Sequence, residues 1–179
     1  MSMLELEVKA ALSDDALERL RHLDLSHIDR QIQVDTYYRH PCNDFVATDE
    51  ALRIRRSEHK TTITYKGPRL SQVTKMREEH ELMVNDFDEA HIIFRRLGFV
   101  EVASVEKTRE RFERNGICIA IDDVRGLGRF IEVEMLLEDL TESAEEQVFS
   151  FLEEIGIDRK STVRESYLEL LSKTTRNSS

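Results

Sequence analysis

Leu4-Glu5-Leu6-Glu7-Val8-Lys9-Ala10 alternates without a break. Leu4, Leu6, Val8 and Ala10 share one parity; Glu5, Glu7 and Lys9 share the other. Successive side chains of a β-strand point to opposite faces, so the stretch predicts a strand with one apolar and one charged face. A single strand of this kind ordinarily packs its apolar face and solvates its charges. The pattern returns far along the chain, however, with charges of both signs at spacing two. Those charges need a common explanation.

The rest of the chain sets bounds on that explanation. At 179 residues it predicts one domain with a real core, spanning 1–173, followed by a disordered tail over 174–179. Charged residues make up 35% and hydrophobic ones 40%, too apolar for a disordered chain and too polar for a membrane protein. No run reaches the length of a spanning helix, and the N-terminus has no apolar signal core. Cys42 and Cys118 form no CxxC, which fits a reducing cytoplasm. A net charge of −10 argues against binding extended nucleic acid but permits a local basic cavity for a small polyanion. Composition leaves a homodimer open.

Further strands are expected over residues 28–38, 51–56, 61–66, 75–84, 100–112, 117–124 and 129–137. Helices are expected over 14–23, behind Ser13 as N-cap, and from 86 to 97, behind the capping box Asp86-Phe87-Asp88-Glu89. Two more are expected over 143–155 and 162–172. Eight strands joined by short turns or single helices suit an antiparallel meander, open or closed as a barrel. On the non-aliphatic parity the acids are Glu5, Glu7, Glu79, Glu81, Asp122, Glu132 and Glu134. The bases are Lys9, Arg53, Arg55, Lys66, Arg77, Lys107 and Arg109. An open sheet would turn these charges to water, the commoner arrangement. A closed one would line a lumen with them, at a high cost unless the two signs pair or bind ions.

The ordered set of motifs decides between the two. Glu5-Leu6-Glu7-Val8-Lys9 is an ExExK strand. It is followed by Leu52-Arg53-Ile54-Arg55, Tyr65-Lys66-Gly67-Pro68, Lys107-Thr108-Arg109, Asp122 and Phe130-Ile131-Glu132-Val133-Glu134. Together these resemble the CYTH family of triphosphate tunnel metalloenzymes, which includes class IV adenylate cyclases and thiamine triphosphatases. Glu132-Val133-Glu134 after the Gly126-Leu127-Gly128 turn, with Ser166-Tyr167 near the end, looks most like the cyclase branch. The resemblance implies an α+β fold, an eight-stranded antiparallel β-barrel or tunnel with charges inside and helices packed outside.

Residue types then suggest the chemistry. Arginine grips phosphate oxygens with a planar fork and lysine offers a compact charge. In a closed lumen Arg53, Arg55, Lys66, Lys107 and Arg109, with Lys9 and Arg77 beside them, could surround a nucleoside triphosphate or an inorganic polyphosphate. Mg²⁺ or Mn²⁺ takes hard oxygen ligands, for which Glu5, Glu7, Glu132 and Glu134 lead and Glu79, Glu81 and Asp122 follow. By resemblance, the ExExK glutamates and the Glu132/Glu134 pair hold the metals. Catalytic candidates are Lys9, Glu5 and Glu7. The same apparatus serves three readings. A cyclase would turn ATP into cyclic AMP and pyrophosphate, a triphosphatase would cleave inorganic or thiamine triphosphate, and a binder would turn nothing over. The double set of bases and acids argues against the last, because an anion binder needs few carboxylates.

Overall fold

A computed structural model describes residues 4–68, 75–137 and 142–177. The strands are β1 (Leu4–Ala11), β2 (Ser26–Arg39), β3 (Ala51–Ser57), β4 (Thr61–Lys66), β5 (Lys75–Arg77), β6 (Glu79–Val84), β7 (Val100–Arg114), β8 (Ile117–Val124) and β9 (Gly128–Leu137). They form one antiparallel sheet in the order β5-β1-β9-β8-β7-β2-β3-β4-β6. Its two end strands are a single run of chain interrupted only at Glu78. β5 pairs with β1, Glu5 opposite Arg77, and β6 pairs with β4, Glu79 opposite Lys66. That run therefore closes the sheet into an eight-stranded tunnel and leaves no long free edge. At the interruption the Glu78 carbonyl instead accepts from the Gly67 amide at 2.9 Å.

The strands are built as the alternation predicts. Leu6, Val8 and Ala10 of β1 are buried on the outside of the tunnel, with Ile117 and Ile119 of β8 and Ile131 and Val133 of β9. Over them lie α1 (Asp14–Arg21), through Ala16 and Leu20, and α3 (Glu142–Glu154), through Val148, Phe151 and Leu152. α2 (Phe87–Arg96) covers Tyr38, Leu52 and Ile54 with Ala90 and Phe94. The hydrophobic core is thus a shell between barrel and helices, and the inside is left to polar groups. Ser13 caps α1 by accepting from the Ala16 amide, and Asp86 caps α2 by accepting from the Glu89 amide. Asn115 and Gly116 form the two-residue β7–β8 turn, both at positive φ (53° and 79°), the geometry such a turn demands. No described helix is long and apolar enough to cross a membrane.

One end of the tunnel is stoppered. Tyr37, Val105, Val124 and Phe130 share the inward parity of their strands but are apolar or aromatic. They pack with Tyr167, Leu168 and Leu171 of α4 (Tyr167–Asn177). This corrects the expected last helix over 162–172. Residues 162 and 163 are extended against β1, with the Val163 amide donating to the Lys9 carbonyl at 2.7 Å. There they take the edge that short β5 leaves bare. α4 begins only at Tyr167, where the Ser166 and Glu169 side chains reciprocally accept from each other's backbone amides. It continues to Asn177, into the stretch expected to fray. β2 is longer than expected, and α1 stops at Arg21 rather than residue 23.

Candidate active site

Inward parity delivers the polar side chains to one cavity of about 380 Å³. β1 contributes Glu7 and Lys9; β3, Arg53 and Arg55; β4, Lys66; β6, Glu79 and Glu81. β7 contributes Lys107, Arg109 and Arg111, and β9 contributes Glu132 and Glu134. Of the expected set, the side chains of Glu5 and Arg77 fall outside the described residues.

Four of the cations are held by two buried carboxylates. Asp122 is fully enclosed behind the cavity wall. Its Oδ1 accepts from Arg109 Nε at 2.7 Å. Its Oδ2 accepts from Arg109 Nη2 and Lys107 Nζ, each at 2.7 Å, and from the Tyr167 hydroxyl at 2.8 Å. Burial alone would raise this carboxyl, but Arg109 and Lys107 outweigh it and hold it below the ordinary range. Burial, with Arg109 alongside, lowers the Lys107 ammonium to about 8 despite Asp122. Asp35 does the same for the other pair of bases. It accepts from Arg55 Nε at 2.6 Å and Nη2 at 2.7 Å, and from Arg53 Nη1 at 3.3 Å. Here too burial is overcome by Arg55 and Arg53, and the carboxyl lies far below the usual range.

Lys9 ties the C-terminal segment to the tunnel. Its Nζ lies 3.1 Å from Glu132 Oε1, donates to the Glu165 carbonyl at 3.3 Å and sits 3.8 Å over the Tyr167 ring. The Lys107 ammonium lies 4.9 Å from the centroid of the same ring, so one aromatic ring serves two cations. Lys66 pairs with Glu79, and Arg111 with Asp29 at 2.5 Å.

The carboxylates converge in their own right. Glu7, Glu132 and Glu134 each place an oxygen within 4.8 Å of the others, a trio of hard donors. β1–β9 pairing sets Glu7 opposite Glu134 and Lys9 opposite Glu132. Burial pushes the Glu134 carboxyl up; Arg109, 3.5 Å away, opposes that, while Glu132 and Glu7 add to it. An excess of buried negative charge of this kind fits a divalent cation of the Mg²⁺ type. Asp122, expected among the metal-side acids, lies outside this trio with its oxygens taken by four donors. Glu79 and Glu81 also stand apart from it, the first on Lys66 and the second near Lys60 and Thr64.

Sequence reasoning missed Asp35, Gln31 and Gln33, and took Tyr167 only as part of the Ser166-Tyr167 resemblance, not as a residue of the site. The first three were legible as the partners of Ile32, Val34 and Thr36 on the opposite parity of β2. Tyr167 gave no local signal of reaching the tunnel, because it arrives from a helix outside the sheet.

Comparison with known proteins agrees with this geometry. The CYTH domain family matches residues 3–167. A Methanocaldococcus jannaschii protein provisionally named adenylate cyclase MJ0240 is 38% identical over 172 residues, 94% of this chain and 98% of that one. The PH1819 protein of Pyrococcus horikoshii superposes with a TM-score of 0.88 at 40% identity, covering 95% of this chain and 99% of that one. The Hippeastrum protein HpAC1, named for adenylyl cyclase but described as having a dominant triphosphatase activity, superposes with a TM-score of 0.73. It covers 96% of each chain at 19% identity, which shows a shared fold alone.

Proposed function

The chain belongs to the CYTH domain family, and we propose from that premise that it is a Mg²⁺- or Mn²⁺-dependent enzyme converting ATP to cyclic AMP and pyrophosphate. The observation that carries the reading is the shared cavity, which sets a bank of buried bases beside the trio Glu7, Glu132 and Glu134. Bases alone would suit a passive anion binder. The name of the Methanocaldococcus jannaschii relative supports the cyclase over other triphosphate chemistries.

Each side chain then has a definable task. Arg53, Arg55, Lys66, Lys107 and Arg109 hold the polyphosphate, and Lys9 joins them from β1. Asp35 and Asp122 position rather than bind, because both point their oxygens at the bases and keep the guanidinium planes from swinging. Preorganised charge is the main lever in phosphoryl transfer, which leaves little covalent work to the protein. Glu7, Glu132 and Glu134 would hold the divalent cation, which when bound neutralises phosphate charge and acidifies an oxygen that it ligates. The apolar cluster at the α4 end closes one mouth of the tunnel, so substrate would enter from the other.

Incubation with ATP, thiamine triphosphate and tripolyphosphate, each with Mg²⁺ or Mn²⁺, followed by product separation, tests this. Cyclic AMP with pyrophosphate is expected from ATP. Orthophosphate as the main product would make the protein a triphosphatase, and tight binding without turnover would make it a binder.

A further inference from the structure

Two buried polar atoms of opposite character lack any hydrogen-bond partner among the described residues: Arg53 Nε, a donor, and Gln33 Oε1, an acceptor. Both side chains line the tunnel cavity. Leaving either atom unpaired is costly, and a substrate that satisfied it would recover that cost. A phosphate oxygen satisfies Arg53 Nε. It cannot satisfy Gln33 Oε1, because ionised phosphate only accepts. The acceptor calls for a ligand O–H or N–H.

The two residues are also set apart along the sheet. Arg53 pairs in register with Tyr37, and Gln33 lies four residues further along β2, about 13 Å of strand. Gln33 and its neighbour Gln31 are neutral amides, both buried, in a lumen otherwise dominated by charge. In register Gln33 faces Lys107 and Gln31 faces Arg109, so the unmet acceptor lies beside bases given to phosphate, where the sugar joined to those phosphates would meet it. We propose that Gln33 is a specificity-determining residue that accepts a hydrogen bond from a ribose hydroxyl, so that the tunnel selects nucleoside triphosphates over inorganic polyphosphate. The inference rests on the triphosphate reading above and narrows it to hydroxyl-bearing substrates. Gln33 is only 4% exposed and lines the cavity.

The test is binding rather than turnover. The probes, each with Mg²⁺, are the non-cyclisable α,β-methylene analogue of ATP, its 2′-deoxy and 3′-deoxy forms, and tripolyphosphate, titrated by calorimetry. Gln33→Met keeps the shape and removes the acceptor. It should weaken the hydroxyl-bearing nucleotide about 10- to 100-fold and change tripolyphosphate affinity by less than about twofold. One of the two deoxy analogues should bind wild type and variant alike. The variant should melt no lower than wild type, because it deletes an unpaired buried carbonyl; a purely structural glutamine would show the reverse. Gln33→Glu, which keeps an acceptor, should retain the preference for the hydroxyl while weakening every phosphate ligand. Equal loss on tripolyphosphate and on all nucleotides, or no loss on any, overturns the assignment and leaves the triphosphate reading standing. Failure of every triphosphate to bind overturns both.

Discussion

Replacing Glu134 by Gln should move stability and metal response in opposite directions. Glu7, Glu132 and Glu134 lie within 4.8 Å of one another. At an effective dielectric near 20, each such pair repels by about 3.5 kcal/mol. Glu134 enters two of the three pairs, and Arg109 at 3.5 Å returns about 4.7 kcal/mol of attraction. The remainder, about 2 kcal/mol, to which burial adds and from which Lys66 subtracts, disfavours the ionised Glu134 without metal. Metal-free Glu134→Gln should therefore be more stable than wild type by about 1–2 kcal/mol, raising Tm by a few degrees. Because the folded-state carboxyl is raised, the wild-type penalty is full above that raised value and fades as pH falls through it, closing the gap to the variant. Wild type should gain stability with Mg²⁺ or Mn²⁺ by mass action, about 2.7 kcal/mol at a hundred times Kd, and the variant much less. Thermal unfolding followed by circular dichroism, with chelator and then with added metal, measures both effects. A metal-free variant less stable than wild type, with an undiminished metal response, would refute the placement of the cation among these three carboxylates.

Asp35→Asn strands two buried guanidiniums and should cost about 3–5 kcal/mol in denaturant unfolding, part of which tripolyphosphate restores by replacing the lost negative charge. In wild type the Asp35 carboxyl is depressed, so its contribution is full above the unfolded value near 3.8 and is lost progressively as pH falls from there through the depressed folded value; acid melts of wild type and variant should draw together over that span and converge only below it. Arg53→Ala should weaken triphosphate binding about 10- to 100-fold in calorimetry while leaving the metal-induced rise in Tm unchanged, since Arg53 lies outside the carboxylate trio. Tyr167→Phe keeps the ring beneath Lys9 and Lys107 and deletes only the hydroxyl on Asp122, so it should cost about 1–2 kcal/mol of stability and lower kcat more than it raises KM. Tyr167→Leu, which also removes the ring, should be worse on both counts.

The alternation in 4–10, repeated in β3 and β9, determined by itself that those strands have an aliphatic and a charged face. Period-two patterning is a local property, so Lys107, Arg109, Glu132 and Glu134 could be assigned to one face without knowing where that face pointed. Helix starts at Ser13 and Asp86 were legible for the same reason: a cap is made within three residues of itself. Which face is inside was not local. It depends on the run 75–84 reaching both β1 and β4, a closure between segments about sixty residues apart in the chain that no strand announces alone. The division of labour among the charges was likewise tertiary. Asp122 and Glu132 look alike in the sequence, yet pairing across β7, β8 and β9 encloses the first among three cationic contacts and a tyrosine and brings the second, while it pairs with Lys9 and Arg109, to Glu7 and Glu134. Tyr167 enters the tunnel because β5 is too short to cover all of β1, and the chain after residue 161 fills that edge.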